Sequence, residues 1–287
     1  MLSLLLNALT GQVLFVWYPE LNPSDPEDIS MLDWFIHWLQ TASWLAASLV
    51  FLVENLVILG LVIVIGNWMV VLFQHRRVAL PPLPLTGAEV AMALLNVGLN
   101  TIVTLAGWQL WRHGVIHFRS DFGFGALADV FVLLMVMDFL MYTLHRVAHH
   151  PWLYPVMHQL HHRYERLRPL TLFALNPIEN LGFGMLWLMV ITVYPVSWAG
   201  MSVYLGFNVA FGTIGHLGVE PVPGDWAQKP VFQAIAGSSF HAQHHQDINY
   251  NFGFYTLIWD RLFGTIQPHY QLKYGQIPAV EVNKAGR

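Results

Sequence analysis

The 287-residue chain contains no cysteine. Disulfides, thiolate-held iron–sulfur clusters and thiolate haem ligation are therefore excluded. Charge is also scarce: Asp, Glu, Lys and Arg together make up 10%, and neither Lys nor Arg occurs before Arg76. A formal net charge of -4 with no basic patch argues against a nucleic-acid partner. The opening stretch Met1–Trp17 is apolar but lacks the basic flank and small-residue cleavage site of a signal peptide, so it reads as mature chain. Also missing are a dinucleotide G-x-G-x-x-G fingerprint and the H-E-x-x-H of zinc hydrolases.

What fills the chain is hydrocarbon. With 55% hydrophobic residues and a mean hydropathy of +0.49, it reads as an integral membrane protein. Residues 1–42 form an apolar or interfacial segment followed by an acidic loop, Glu20–Asp33, and residues 43–287 read as a single domain. From Ser43 to Phe73 the sequence is almost continuously apolar, long enough to cross ~30 Å of hydrocarbon. His75, Arg76 and Arg77 then mark a cytoplasmic end. Gly87–Trp111 and Ala126–Leu144 read as further crossings, and Asn180–Trp198 with Ala199–Leu217 as a second hairpin. We expect an all-α protein with about four transmembrane helices in two hairpins and a cytoplasmic helical cap. This topology leaves only Arg112 and Arg119 of the 13 basic residues on the outside.

Against this background the histidines stand out. Six lie between His145 and His162, and ten of the 15 fall at 145–162, 216 and 241–245. Asp138, Tyr142, His145 and His149 share one helical stripe, and Pro151 is expected to end that helix. His150 is turned away from the stripe by about 100°. His158, His161 and His162 have i, i+3, i+4 spacing and are expected to project from one face of a helical turn. The same pattern recurs as His241, His244 and His245. Imidazoles packed together without a metal repel when protonated and need many buried acceptors when neutral, whereas a metal uses each neutral lone pair.

These motifs resemble the membrane fatty acid hydroxylase/sterol desaturase superfamily of di-iron oxygenases. The resemblance lies in D-x-x-x-Y-x-x-H-R-x-x-H from Asp138 to His149, in the two H-x-x-H-H boxes, in His216 of TIGHLG and in WDRLFGT from Trp259 to Thr265. It covers roughly Ala126–Thr265. Asn176-Pro177-Ile178-Glu179 departs from it, since many relatives carry H-P-x-E there.

The resemblance implies a site of nine ligands, His145, His149, His158, His161, His162, His216, His241, His244 and His245, with Asp138 and Tyr142 orienting ligand imidazoles behind them. Nine donors are too many for one four- to six-coordinate ion and suit two irons. Two irons with open positions reduce O2 to a species able to break an unactivated C–H bond. The implied activity is hydroxylation or desaturation of a sterol or fatty acyl lipid. The chain has no H-P-G-G motif of a fused cytochrome b5, so electrons would come from a separate cytochrome b5-, ferredoxin- or reductase-type donor. A membrane metal or haem carrier is the alternative of another class, but its ligands should be spread along the crossings, not gathered at one face. Localisation is expected in a membrane, the bacterial inner membrane or endoplasmic reticulum, with the site on the cytoplasmic face.

Overall fold

The computed structural model describes residues 31–226 and 229–276. Met1–Trp17 and most of the acidic loop, about which the sequence raises expectations, lie outside the described residues. The chain divides into two units, Met1–Trp44 and Leu45–Arg287. In the first, the described element is helix α1, Met31–Thr41, with Asp33 in its first turn, where an acid complements the helix dipole.

The second unit is built around three long helices: α2, Trp44–Leu72, α3, Gly87–Arg112, and α4, Phe124–Ala148. All three are long and apolar enough to cross a membrane. Shorter elements follow: α5 Tyr154–Met157, α6 Gln159–His162, a 3-10 turn Pro169–Phe173, α7 Pro177–Val193, α8 Trp198–Gly215, α9 Pro230–Ala234, α10 Ser238–Gln246 and α11 Ile258–Leu262. The described residues contain isolated β-bridges but no named strand. Helix α7 is apolar but, at 17 residues, spans only about 25 Å. Among the described residues three helices are both long and apolar enough to cross, and the fourth expected crossing is not among them.

Local chemistry sets the helix ends. Thr86 caps α3, its hydroxyl accepting from Glu89 N at 3.2 Å, which is half of a capping box. Helix α4 stops at Ala148, three residues short of Pro151, as a proline stop requires. Asn176 caps α7 by accepting from Ile178 N at 2.9 Å, and Pro177 occupies the first helical position. Asn176 is thus a helix cap in this chain. Ser197 caps α8 in the same way through Gly200 N.

Helix α4 lies against both α7 and α8, and α3 packs on α7 and on the 3-10 turn. Helix α2 joins through Leu59 and Val62, which meet Ala93, Val97 and Phe173. Gly66 permits the close approach of α2 to the 3-10 turn, because a Cβ there would lie 2.6 Å from Pro169. The opposite face of α2 exposes Leu45, Leu49, Val53, Leu61 and Val64. A face so apolar is suited to lipid as solvent.

One polar cluster ties α4 to the α7–α8 turn at the end of α4 far from the histidines. The buried Asp129 carboxylate accepts from Arg119 at 2.9 Å, from the Tyr194 hydroxyl at 2.7 Å and from Ser197 N at 2.8 Å. Arg119 also donates to Pro195 O. Removing the acceptor takes this partner from the Tyr194 hydroxyl and Ser197 N, while Arg119 keeps Pro195 O and Asp121, a loss of about 2 kcal/mol. Asp129→Ala is therefore expected to lower the thermal midpoint of the purified protein in detergent. Sixteen residues of helix, ~24 Å, separate it from His145. Chains that remain folded should keep the wild-type metal content, and a coupled loss of metal would show that the cluster does more than join helices.

Candidate metal centre

The elements described above deliver nine imidazoles to one place. His145 sits in the last turn of α4 and His149 is its C-cap residue; His158 lies at the joint between α5 and α6. His161 and His162 belong to α6, His216 caps the end of α8, and His241, His244 and His245 belong to α10. His216 is fixed from outside its helix as well. The chain just beyond α2 pairs with 218–220, Val78 N donating to Gly218 O at 3.1 Å and Glu220 N to Arg76 O at 2.8 Å.

The nine donors separate into two groups, each with its donor nitrogens within 4.8 Å of one another. One is His145, His149, His158, His162 and His244; the other is His161, His216, His241 and His245. The imidazoles of each H-x-x-H-H box, expected on one face, divide between the two groups. Residues four apart on a helix differ by about 40° and residues three apart by about 60° in the opposite sense. His241 and His245 accordingly enter one group and His244 the other. The same split separates His161 from His158 and His162, although His158 stands outside regular helix. Each box thus serves both groups.

Within the groups the Nε2 atoms face one another at close range. His145 and His158 are 3.0 Å apart, His162 and His244 3.1 Å, His241 and His245 3.0 Å, and His161 lies 3.1 Å from His245 and 3.4 Å from His216. His145, His216 and His244 direct Nδ1 at backbone carbonyls, of Phe252 at 2.9 Å, Gly212 at 2.7 Å and Tyr250 at 2.6 Å. A carbonyl accepts only, so Nδ1 carries the proton and Nε2 presents a lone pair. Lone pairs facing at such distances repel unless a cation lies between them. Two nitrogens each ~2.1 Å from one ion stand about 3.0 Å apart at 90° and about 3.4 Å apart at the tetrahedral angle. The observed separations fit that geometry, so both groups could hold a metal ion.

Burial favours the ligand form. Burial first, and neighbouring imidazoles second, hold His149, His162, His241, His244 and His245 below the ordinary histidine range. These side chains are therefore neutral lone-pair donors near neutral pH. His150 belongs to neither group; it is exposed and its ring meets Trp152.

Asp138 and Tyr142 act differently from the expectation. The Asp138 carboxylate accepts from Tyr255 N at 2.8 Å, the Thr256 hydroxyl at 2.5 Å and Trp259 Nε1 at 3.1 Å, not from an imidazole. Tyr142 shares a hydrogen bond with the Thr265 hydroxyl at 3.0 Å and accepts one from Arg146 at 3.2 Å. Asp260 accepts from Phe252 N and Gly253 N, both at 2.8 Å, and from the Thr265 hydroxyl at 2.7 Å. These acids hold the 250–256 loop, and through the carbonyls of Tyr250 and Phe252 that loop holds His244 and His145. Asp138 acts on an imidazole only at a remove. Sequence reasoning missed Asp260 as a loop clamp, and it missed the carbonyls altogether, since a backbone acceptor has no residue signature.

A cleft of about 840 Å³ opens beside the first group. Phe139, Thr143 and Val147, one stripe of α4, lead along it to His149, with Phe252 and Phe263 on other walls. Both ring nitrogens of His149 are buried without a hydrogen-bond partner.

Comparison with known proteins bears on the same segment. Residues 130–265 match the fatty acid hydroxylase family. The chain is 28% identical over 191 residues to the Delta(7)-sterol 5(6)-desaturase of Eremothecium gossypii, covering 64% of this chain and 52% of that protein. It is 30% identical over 186 residues to the lathosterol oxidase of Rattus norvegicus, 62% of this chain and 60% of that one. Over residues 130–265 the chain is similar to the fatty acid hydroxylase/sterol desaturase superfamily. It spans about half the length of the curated relatives it matches. No solved structure matches it.

In this chain the loop holding two imidazoles can be tested without touching a ligand. A Cβ on Gly253 would lie 2.5 Å from Thr256 O and 2.8 Å from the Asp260 carboxylate. Gly253→Ala must therefore displace the loop. The expected outcome is a folded protein with reduced metal content per chain by elemental analysis; wild-type content would show that the Phe252 and Tyr250 carbonyls do not position His145 and His244.

Proposed function

We propose that this protein is a membrane di-iron oxidoreductase that uses O2 and external electrons to hydroxylate or desaturate a lipid of the sterol or fatty acyl type. The observation that carries the proposal is the convergence of nine neutral imidazoles into two adjoining groups, five and four strong. His145, His149, His158, His162 and His244 would hold one iron, and His161, His216, His241 and His245 the other. Bound there, the metal pair would supply the O2 chemistry needed to attack an unactivated C–H bond, which no side chain performs alone. The relatives named sterol desaturase and lathosterol oxidase support a sterol-like substrate.

The residues of the chain account for the remaining requirements. Nitrogen donors held by carbonyls stay in one tautomer, so the site needs no rearrangement to take up metal. The cleft along Phe139, Thr143 and Val147 leads from the apolar face of α4 to His149, a route by which the body of a lipid reaches the site from the bilayer. Either reaction consumes two electrons and two protons per O2: hydroxylation yields one water, desaturation two. The separate electron donor approaches from the face at which the histidine boxes lie. The positions of the basic residues support a cytoplasmic location for that face, and residues 43–287 are taken as one domain. A carrier role is disfavoured because the ligands converge on one centre and do not form a path across the membrane.

Purified protein produced without excess zinc is expected to contain two irons per chain, and lipid mass spectrometry should show O2-dependent oxidation products absent from cells lacking it. His245→Ala should lose both metal and oxidation, whereas His150→Ala should retain both. One ion or none in the wild type would refute the two-metal reading.

The cleft calls for a separate measurement. Thr143→Trp fills it from an exposed position of α4. Turnover of the lipid substrate should fall at least about tenfold, the cost of displacing a substrate by ~1 Å or more, with metal content unchanged. Undiminished turnover would place the substrate elsewhere.

A further inference from the structure

We infer that Glu179 is a positioning residue that sets the donor strength of His158 and makes the five-imidazole group the tighter of the two metal sites. The inference rests on the two-metal proposal. Glu179 Oε1 lies 2.6 Å from His158 Nδ1, with both side chains almost fully buried, at 2% and 3% exposure.

A helix-end role does not explain this contact. Asn176 with an acid three residues on reads as a capping box, in which Glu179 would turn back to the Asn176 backbone N–H. Its carboxylate instead lies at ion-pair distance from His158, and both His158 Nδ1 and the second oxygen, Oε2, are buried with no aligned hydrogen bond. Among the described residues His158 is its one ion-pair partner. A buried carboxylate with no Arg or Lys is costly unless positive charge lies close by. His158 Nε2 faces the first group, 3.0 Å from His145 Nε2, so a cation bound there lies one imidazole away from the acid. With a metal bound, the acid and the ring would act as a carboxylate–histidine–metal relay, in which the acid would fix the tautomer and raise the basicity of the ligand nitrogen.

The other Nδ1 partners in the centre are neutral: Phe252 O for His145, Tyr250 O for His244 and Gly212 O for His216. Once a cation is bound, an ionised Glu179 would give the five-imidazole group an anionic partner that the carbonyl-backed ligands lack. That group also has one donor more. Both differences act in the same direction, toward unequal affinities.

The test uses the full-length protein in detergent, stripped of metal and titrated anaerobically with Co(II) while its ligand-field absorption and bound metal are followed. Wild type is expected to take up two ions in resolved steps. Glu179→Gln keeps the side-chain volume and an acceptor oxygen but removes the charge. It should weaken the tighter step about 10- to 100-fold, the range for loss of such an outer partner, shift the absorption of that ion, and leave the weaker step in place. His161→Ala, in the four-imidazole group, should affect the weaker step instead. Should the Gln variant not accumulate, Glu179→Asp keeps the charge and withdraws it by one methylene, and the tighter step should again weaken. An unchanged titration and spectrum in Glu179→Gln, or in Glu179→Asp where that is the variant obtained, overturns the inference while leaving the two-metal reading intact. A wild type that binds no Co(II) overturns both.

Discussion

Lone pairs of neutral imidazoles held about 3 Å apart repel one another, and much of this structure serves to hold nine of them there. Three of the rings, His145, His216 and His244, are fixed as Nε2 acceptors by carbonyls on Nδ1, so they cannot donate to the nitrogens that face them. A cation relieves it in each group, and the separations observed are those that two nitrogens on one ion would adopt. With a metal bound, the apparent cost of assembling the groups would become affinity, and folding and metal binding would share the same free energy.

The means of holding them is layered. Helices α4, α8 and α10 contribute most of the rings, and the helix ends determine which ring turns where. Behind the rings stand backbone carbonyls of the 250–256 loop and of α8. Behind the loop stand two buried acids, Asp138 and Asp260, whose oxygens are taken up by backbone amides, hydroxyls and an indole. The scarcity of charge in the chain makes these few acids legible: Asp129 joins helices, Asp138 and Asp260 clamp a loop, and Glu179 meets a ring. In an apolar chain each such group needs a partner, and the partner identifies its role.

The membrane and the metal impose separate demands that meet at the ends of the helices. Helices α2, α3 and α4 satisfy their own backbone within hydrocarbon, and their outward faces can be uniformly apolar. The histidine-bearing segments have no such freedom. They include short helical turns joined by irregular chain, and the free carbonyls that ring nitrogens need come from that chain, at Tyr250 and Phe252, and from the last turn of α8, at Gly212. The cleft along α4 lies where the two regimes join, with an apolar stripe at one end and His149 at the other.

The all-helical membrane class, the long helices and the nine histidines were legible in the sequence because hydropathy and residue type are local properties. So was the end of α4, since Pro151 acts on its immediate neighbours. What the tertiary structure alone decided was the allocation. The boxes read as triplets, yet each divides between the two groups, because a 40° offset and a 60° offset fall on opposite sides of a line drawn by the partner helices. Asp138 lies on the histidine stripe in sequence, yet its oxygens are claimed by Tyr255, Thr256 and Trp259, more than a hundred residues away. Glu179 could be named from the sequence but not assigned, for its partner His158 comes from a different helical turn. Composition and periodicity determine which donors exist and on which face of their own element; which donors share an ion depends on distances between elements, and only packing sets those.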